Sequence, residues 1–249
     1  MKNKIIFIIM LIVVIISIVF MYVENDNNKV KYTDTPNEII VEEEEKEEVI
    51  VEGKKYLFAP DIDLNKARSD NNNNEIVGRL EVPDLFNILV SKTTNNDYYL
   101  DYSVKRERDI KGSEFLDFRT SPTDKQVNVY GHNSRDPNLK VPFLRLESFL
   151  EKEFFDSHPY IVLQHDTGKN YYKIMNIKEV VTDLEHMNVD LTGSAFKNHL
   201  DIIKSNSMYS RNVPYDENSE IIILQTCSHH LDNAYYIITG IKISYDEIG

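Results

Sequence analysis

The stretch "IIILQTCSHH", residues 221–230, places the only cysteine of the chain at the end of an isoleucine-rich run. Such a run reads as a β-strand, and Cys227 at its end is either a small buried hydrophobe or a reactive thiol. The runs around it are of the same kind. "EIVGRLEVP", "QVNVYGH", "PYIVLQH", "YYKIMNIKEVV" and "AYYIITGIKIS" are short, rich in Ile, Val and Tyr, and separated by polar turns. They imply a mainly β fold closed or nearly closed into a barrel. Two amphipathic stretches, "PFLRLESFLEKEFF" and "LTGSAFKNHLDIIKSN", interrupt the strands. The second sets Phe196, Leu200, Ile202 and Ile203 on one helical face. Residues 55–70 suit a short helix on the domain, and the asparagines from Asn71 to Asn74 a loop. On the last run, period-2 alternation sends Tyr235 and Ile237 to one face and Tyr236 and Ile238 to the other.

Length and charge narrow the function. The chain has 249 residues, 41% hydrophobic, with a formal net charge of -13, enough for one sizeable core and unsuited to nucleic acid, which needs clustered Lys and Arg. A lone cysteine forms no internal disulfide. Lys2 and Lys4 precede an apolar run from Ile5 to Val23, long enough to cross a bilayer core of roughly 30 Å. Without a small-residue cleavage site it reads as an uncleaved transmembrane anchor, amino end in the cytoplasm and the rest outside. Residues 24–54, centred on "VEEEEKEEV", read as an acidic extracellular spacer. The domain proper then occupies 55–249, after a membrane segment over 1–23.

A thiol acts as a nucleophile when a base or cation supports its thiolate and a donor awaits the oxyanion. Among seven histidines, His132 stands out because "VNVYGHN" sets it directly after a strand and a glycine. A metal reading of "CSHH" fails, since it offers two or three cramped donors with no distant partner pair.

From about residue 76 to 243 the chain resembles the sortases, specifically class B. The resemblance runs through "IVGRLEVPDLFNILVSKTTNNDYYLDYSV", "KGSEFLDFRTSP", "VYGHN", "EFFDSHPYI" and "ILQTC", in order. It implies a sortase-like closed β-barrel decorated by N-terminal and inter-strand helices, after an N-terminal transmembrane helix. It also implies a cell-surface cysteine transpeptidase, without metal or cofactor. Such an enzyme cuts a C-terminal sorting signal in secreted proteins and, through a thioacyl-enzyme, joins them to a cell-wall precursor or other amine. Cys227 would be the nucleophile and His132 the proton donor to the leaving amine, with Leu224, Thr226, Ser228 and Asn133 along the substrate groove. Two positions depart from the family pattern. Ile223 stands where the family has Thr. Tyr235 stands where the family carries an arginine that steadies the oxyanion or orients substrate. Tyr235, Arg119, Arg135, His229 and His230 are the candidates to replace it. If none does, the chain is a degenerate sortase-like binding protein with weak or no turnover.

Overall fold

The sequence pattern becomes a barrel because one strand face after another needs a common interior. The structure is a computed structural model that describes residues 31–32, 38–40, 45–136, 139–181 and 184–248. The proposed membrane segment lies outside the described residues. The chain divides into two units, 1–31 and 32–249, and all elements named below belong to the second.

Nine strands form one sheet: β1 (Ile76–Val82), β2 (Phe86–Ser91), β3 (Phe115–Leu116), β4 (Gln126–Tyr130), β5 (Tyr160–His165), β6 (Gly168–Val180), β7 (Tyr209–Ser210), β8 (Ile221–Cys227) and β9 (Tyr235–Ile243). Their order is β7-β6-β9-β8-β4-β3-β2-β1-β5, and β5 also pairs with β6, closing eight strands into a barrel with β7 appended. Closure satisfies the backbone groups that an open edge would leave unpaired. Strand β8 is central. It runs parallel to β4, with Leu224 opposite Val129, and antiparallel to β9, with Cys227 opposite Tyr235.

Alternation along β8 sorts its side chains into two cores. Ile222 and Leu224 enter the barrel interior with Val127 and Val129 of β4 and Ile238 of β9. Ile221 and Ile223 point outward and are covered by Phe196, Leu200 and Ile203 of helix α4 (Gly193–Lys204). The run is apolar throughout because both faces are buried to this point. Phe143, Leu146 and Phe149, from a 3-10 helix over Pro142–Leu150, also enter the interior core.

Several local expectations change. Residues 55–70 are not one helix: Lys54–Phe58 pairs with Glu47–Val51 as a hairpin, and only Leu64–Asp70 is helical (α1), capped by the Asp63 carboxylate. The hairpin starts inside the stretch read as spacer, because Val49, Val51 and Tyr56 pack with Phe58 against Tyr160 and Tyr171 on the outside of the barrel. The "PFLRLESFLEKEFF" stretch breaks at Glu151, whose extended backbone separates the 3-10 helix from α3 (Lys152–Ser157). The asparagine run is more than a solvated loop. Buried Asn73 donates to the Tyr99 hydroxyl (2.9 Å) and the Val104 carbonyl (2.7 Å), tying down helix α2 (Tyr98–Asp101).

Gly131 marks the passage from β4 to His132. A Cβ there would lie 2.7 Å from the Phe143 ring and 2.8 Å from Glu114 Cγ, so Gly131→Ala forces the interior plug and the His132 backbone apart. We expect a loss of about 1–3 kcal/mol, measured as a lower urea midpoint at unchanged m value. A midpoint equal to that of the unaltered protein would show that the passage is loosely packed.

Candidate active site

The outward face of β8 loses its cover at the carboxyl end, and there the apolar run gives way to Gln225 and Cys227. Strand pairing assembles the rest. The Gly131 N–H donates to the Gln225 carbonyl (3.2 Å), and the Thr226 hydroxyl donates back to the Gly131 carbonyl (2.9 Å), which fixes the residue before His132 against the residue before Cys227. A groove of about 400 Å3 opens between them, and its lining includes His132, Thr226, Cys227 and Tyr235. Asn96, Asp97, Leu100, Tyr130, Met187 and Gln225 also line it.

His132 is oriented by the backbone. Its Nε2 lies 2.7 Å from the Leu100 carbonyl oxygen; a carbonyl only accepts, so Nε2 carries the proton and donates. In the neutral ring the lone pair is then on Nδ1, which has no partner among the described residues. Leu100 belongs to α2, so the asparagine loop that anchors α2 also fixes the tautomer of the histidine.

Cys227 is exposed along the groove, yet burial by the walls around it pushes its thiol above the ordinary thiol range. The residue touches solvent on one side while the surrounding protein withholds the water that a thiolate needs. No described cation offsets this. The thiol therefore rests protonated at neutral pH and needs a base to react.

The candidates for the family arginine separate cleanly. Arg119 is spoken for: Nε and Nη2 donate to the two oxygens of buried Asp117 (2.9 and 2.7 Å), and Nη2 also reaches the Met187 carbonyl (3.1 Å). Burial alone would raise the Asp117 carboxyl, but bonds from the Arg119 side chain, the Arg119 backbone N–H and the Tyr130 hydroxyl outweigh it and hold the group at about 2. Arg135 donates to the His229 carbonyl (2.7 Å), and neither arginine lines the groove. His230 faces Glu179 (3.4 Å), and His229 is absent from the lining. Tyr235 alone of the five lines the groove, directly across the ladder from Cys227, and its hydroxyl has no partner among the described residues.

Three of the expected groove residues lie elsewhere. Leu224 points into the barrel interior and is wholly buried, because it is an odd number of residues from Cys227 on a period-2 strand. Ser228 donates its hydroxyl to Glu179 and takes up its backbone N–H with the Ala234 carbonyl. Asn133 donates to the Cys227 carbonyl (2.8 Å) and to Glu147 (2.7 Å), holding the Cys227 backbone rather than lining the groove. Thr226 lines the groove, but its hydroxyl is used by Gly131. Gln225 was missed, although its place two residues before Cys227 was the signal.

No protein-family model matches the sequence. Sortase B of Listeria monocytogenes is 32% identical over 168 residues, covering 64% of this chain and 65% of that protein. Sortase B of Staphylococcus aureus is 28% identical over 160 residues, covering 62% of this chain and 64% of that protein. The chain thus spans just under two thirds of each curated relative. The solved structure of the Listeria protein superimposes with a TM-score of 0.62 at 28% identity, over 70% of this chain and 97% of that one. In sequence and in fold the chain is similar to the class B sortases. At lower identity, 23%, the Staphylococcus aureus sortase B–substrate complex shares the fold with a TM-score of 0.65, over 73% of this chain and 86% of that one. The closed barrel with Cys227 and His132 at one end has the sortase fold, and Tyr235 lies inside its groove.

The raised thiol gives a direct expectation. Alkylation of Cys227 by iodoacetamide should climb with pH through and beyond the ordinary thiol range of about 8.5, followed by mass spectrometry at fixed time. A rate already at its plateau below pH 7 would mean a stabilised thiolate and contradict the desolvated thiol.

Proposed function

We propose that this sortase is a cysteine transpeptidase that cleaves a sorting signal in secreted proteins and passes the acyl group to a cell-wall amine. The observation that carries the proposal is the single groove holding Cys227, a histidine with a free Nδ1, and an unpartnered hydroxyl opposite the thiol. Two relatives support it in kind: one sortase B is described in complex with substrate and another with triglycine, a peptide amine.

His132 Nδ1 takes the Cys227 proton as the sulfur attacks the scissile carbonyl, so a thiol that resists ionisation alone ionises in the step that needs it. The carbonyl oxygen becomes an oxyanion and accepts a hydrogen bond from Tyr235. As the tetrahedral intermediate collapses, protonated His132 gives its proton to the departing amine, and a thioester remains on Cys227. An incoming amine loses a proton to His132, attacks the thioester carbonyl, and releases the thiol. The apolar run from Ile5 to Val23 would hold the domain at the outer face of the cell membrane, where secreted substrates and cell-wall precursors meet it.

The test is mass spectrometry of the full chain incubated with a library of short sorting-signal peptides. A mass increase on Cys227 equal to an acylating fragment supports the proposal, and its release by an added amine completes it. Cys227→Ala should give no adduct and no cleavage. His132→Ala should retain less than about one hundredth of the rate, in line with general acid–base contributions of about 10²–10⁴. Cleavage by the Cys227→Ala protein would refute the mechanism.

A further inference from the structure

The face of β8 that carries the nucleophile also carries Gln225, roughly 7 Å further back along the strand. Gln225 lines the groove, and its side chain is held: His186 Nε2 donates to its Oε1 at 2.6 Å. His186 is itself braced. Its carbonyl accepts from Gln126 Nε2 (2.8 Å) and Asn128 Nδ2 (3.0 Å), two buried side chains on the outward face of β4. The ring of buried His199, on α4, then bridges Gln126 Oε1 (2.8 Å) and Glu185 Oε1 (2.9 Å). A strip of buried polar groups thus runs from α4 to the groove, beside an outer core that is otherwise filled by isoleucine, leucine and phenylalanine. Buried polar chains of this kind stabilise a fold only when fully paired, and apolar side chains would close the same space with less risk. What the strip achieves is orientation. With Oε1 oriented by His186, the Gln225 amide has two N–H donors free for a ligand, and no described protein group accepts from them.

We propose that Gln225 is a specificity-determining residue whose amide donates to a carbonyl oxygen of the bound peptide, and that His186, braced by Gln126 and His199, is its positioning residue. The proposal rests on the reading of the groove as a peptide site and adds what that site selects for. The acceptor is a main-chain carbonyl or the side chain of an amide or acidic residue.

The full chain carrying Cys227→Ala selects, by affinity alone, a hexapeptide from a randomised library. Adding Gln225→Glu, which keeps the shape and replaces the donor by an acceptor, should weaken that peptide about tenfold or more. The penalty should vanish for one altered peptide: an alanine scan reveals a side-chain acceptor, and a scan of single thioamides a main-chain one. His186→Phe should weaken the same peptide by a smaller factor and show reduced coupling to the same position. With Cys227 restored, the loss in kcat/KM should fall on KM, and iodoacetamide labelling should match that of the unaltered protein, separating a lost contact from a damaged fold. Affinity for Gln225→Glu within twofold of the parent, or an equal penalty against every peptide, would overturn the proposal. Because the peptide is chosen by binding, tight binding without cleavage by the Cys227 protein contradicts the transpeptidase reading alone. A library from which nothing binds contradicts both.

Discussion

The parallel pairing of β8 with β4 is the constraint on which the site depends. It joins the two strands that end in Cys227 and Gly131-His132, and it does so with Leu224 opposite Val129 and Gln225 opposite Tyr130. The register is enforced by burial on both faces. A slip of one residue would exchange Ile222 and Leu224, which fill the barrel, for Ile223 and Gln225, and would turn the thiol into the interior. The hydrophobic core therefore specifies the position of the Cys227 thiol. The pairing of β8 with β9 does the same for Tyr235, and Asn133 ties the loop after His132 to the Cys227 carbonyl.

No lysine or arginine is among the described residues that line the groove, and Asp97 is its one carboxylate. Arg119 is consumed by Asp117, which also accepts from the hydroxyl of Tyr130, a residue of the groove wall. Burial pushes the thiol up, the histidine is held with its Nε2 proton on the Leu100 carbonyl, and in the proposed mechanism the oxyanion donor is a phenol. A guanidinium would have favoured both the thiolate and the oxyanion by its charge. In the proposed mechanism, with tyrosine in that place, charge develops only in the transition state, through proton transfer within the step rather than from a standing ion pair.

The strands richest in Ile, Val and Tyr were legible in the sequence because each buries at least one face, and the ends of β4 and β8 located His132 and Cys227. Other features depend on tertiary contact. The hairpin over residues 47–58 begins inside an acidic run and exists because Val49, Val51 and Tyr56 find the outer face of Tyr160 and Tyr171. Asn73 reads as a loop residue until the Tyr99 hydroxyl is brought to it. Leu224 was placed in the groove by proximity in sequence and lies in the barrel by periodicity, while Gln225 was overlooked although the same periodicity set it beside the thiol. Arg119 and Arg135 could be set aside only once Asp117 and the His229 carbonyl were seen to occupy them.

The central claim is that a neutral hydroxyl opposite the thiol does the work assigned to a guanidinium elsewhere in the family. Its most direct test is the single-turnover rate of thioester formation on Cys227, measured by quenched-flow mass spectrometry for the unaltered chain, Tyr235→Phe and Tyr235→Arg. The account predicts a slow but measurable rate for the unaltered chain, a further fall of about tenfold or more for Tyr235→Phe, and a gain for Tyr235→Arg. Equal rates for tyrosine and phenylalanine, with no gain from arginine, would show that Tyr235 only packs against the groove and would contradict the account.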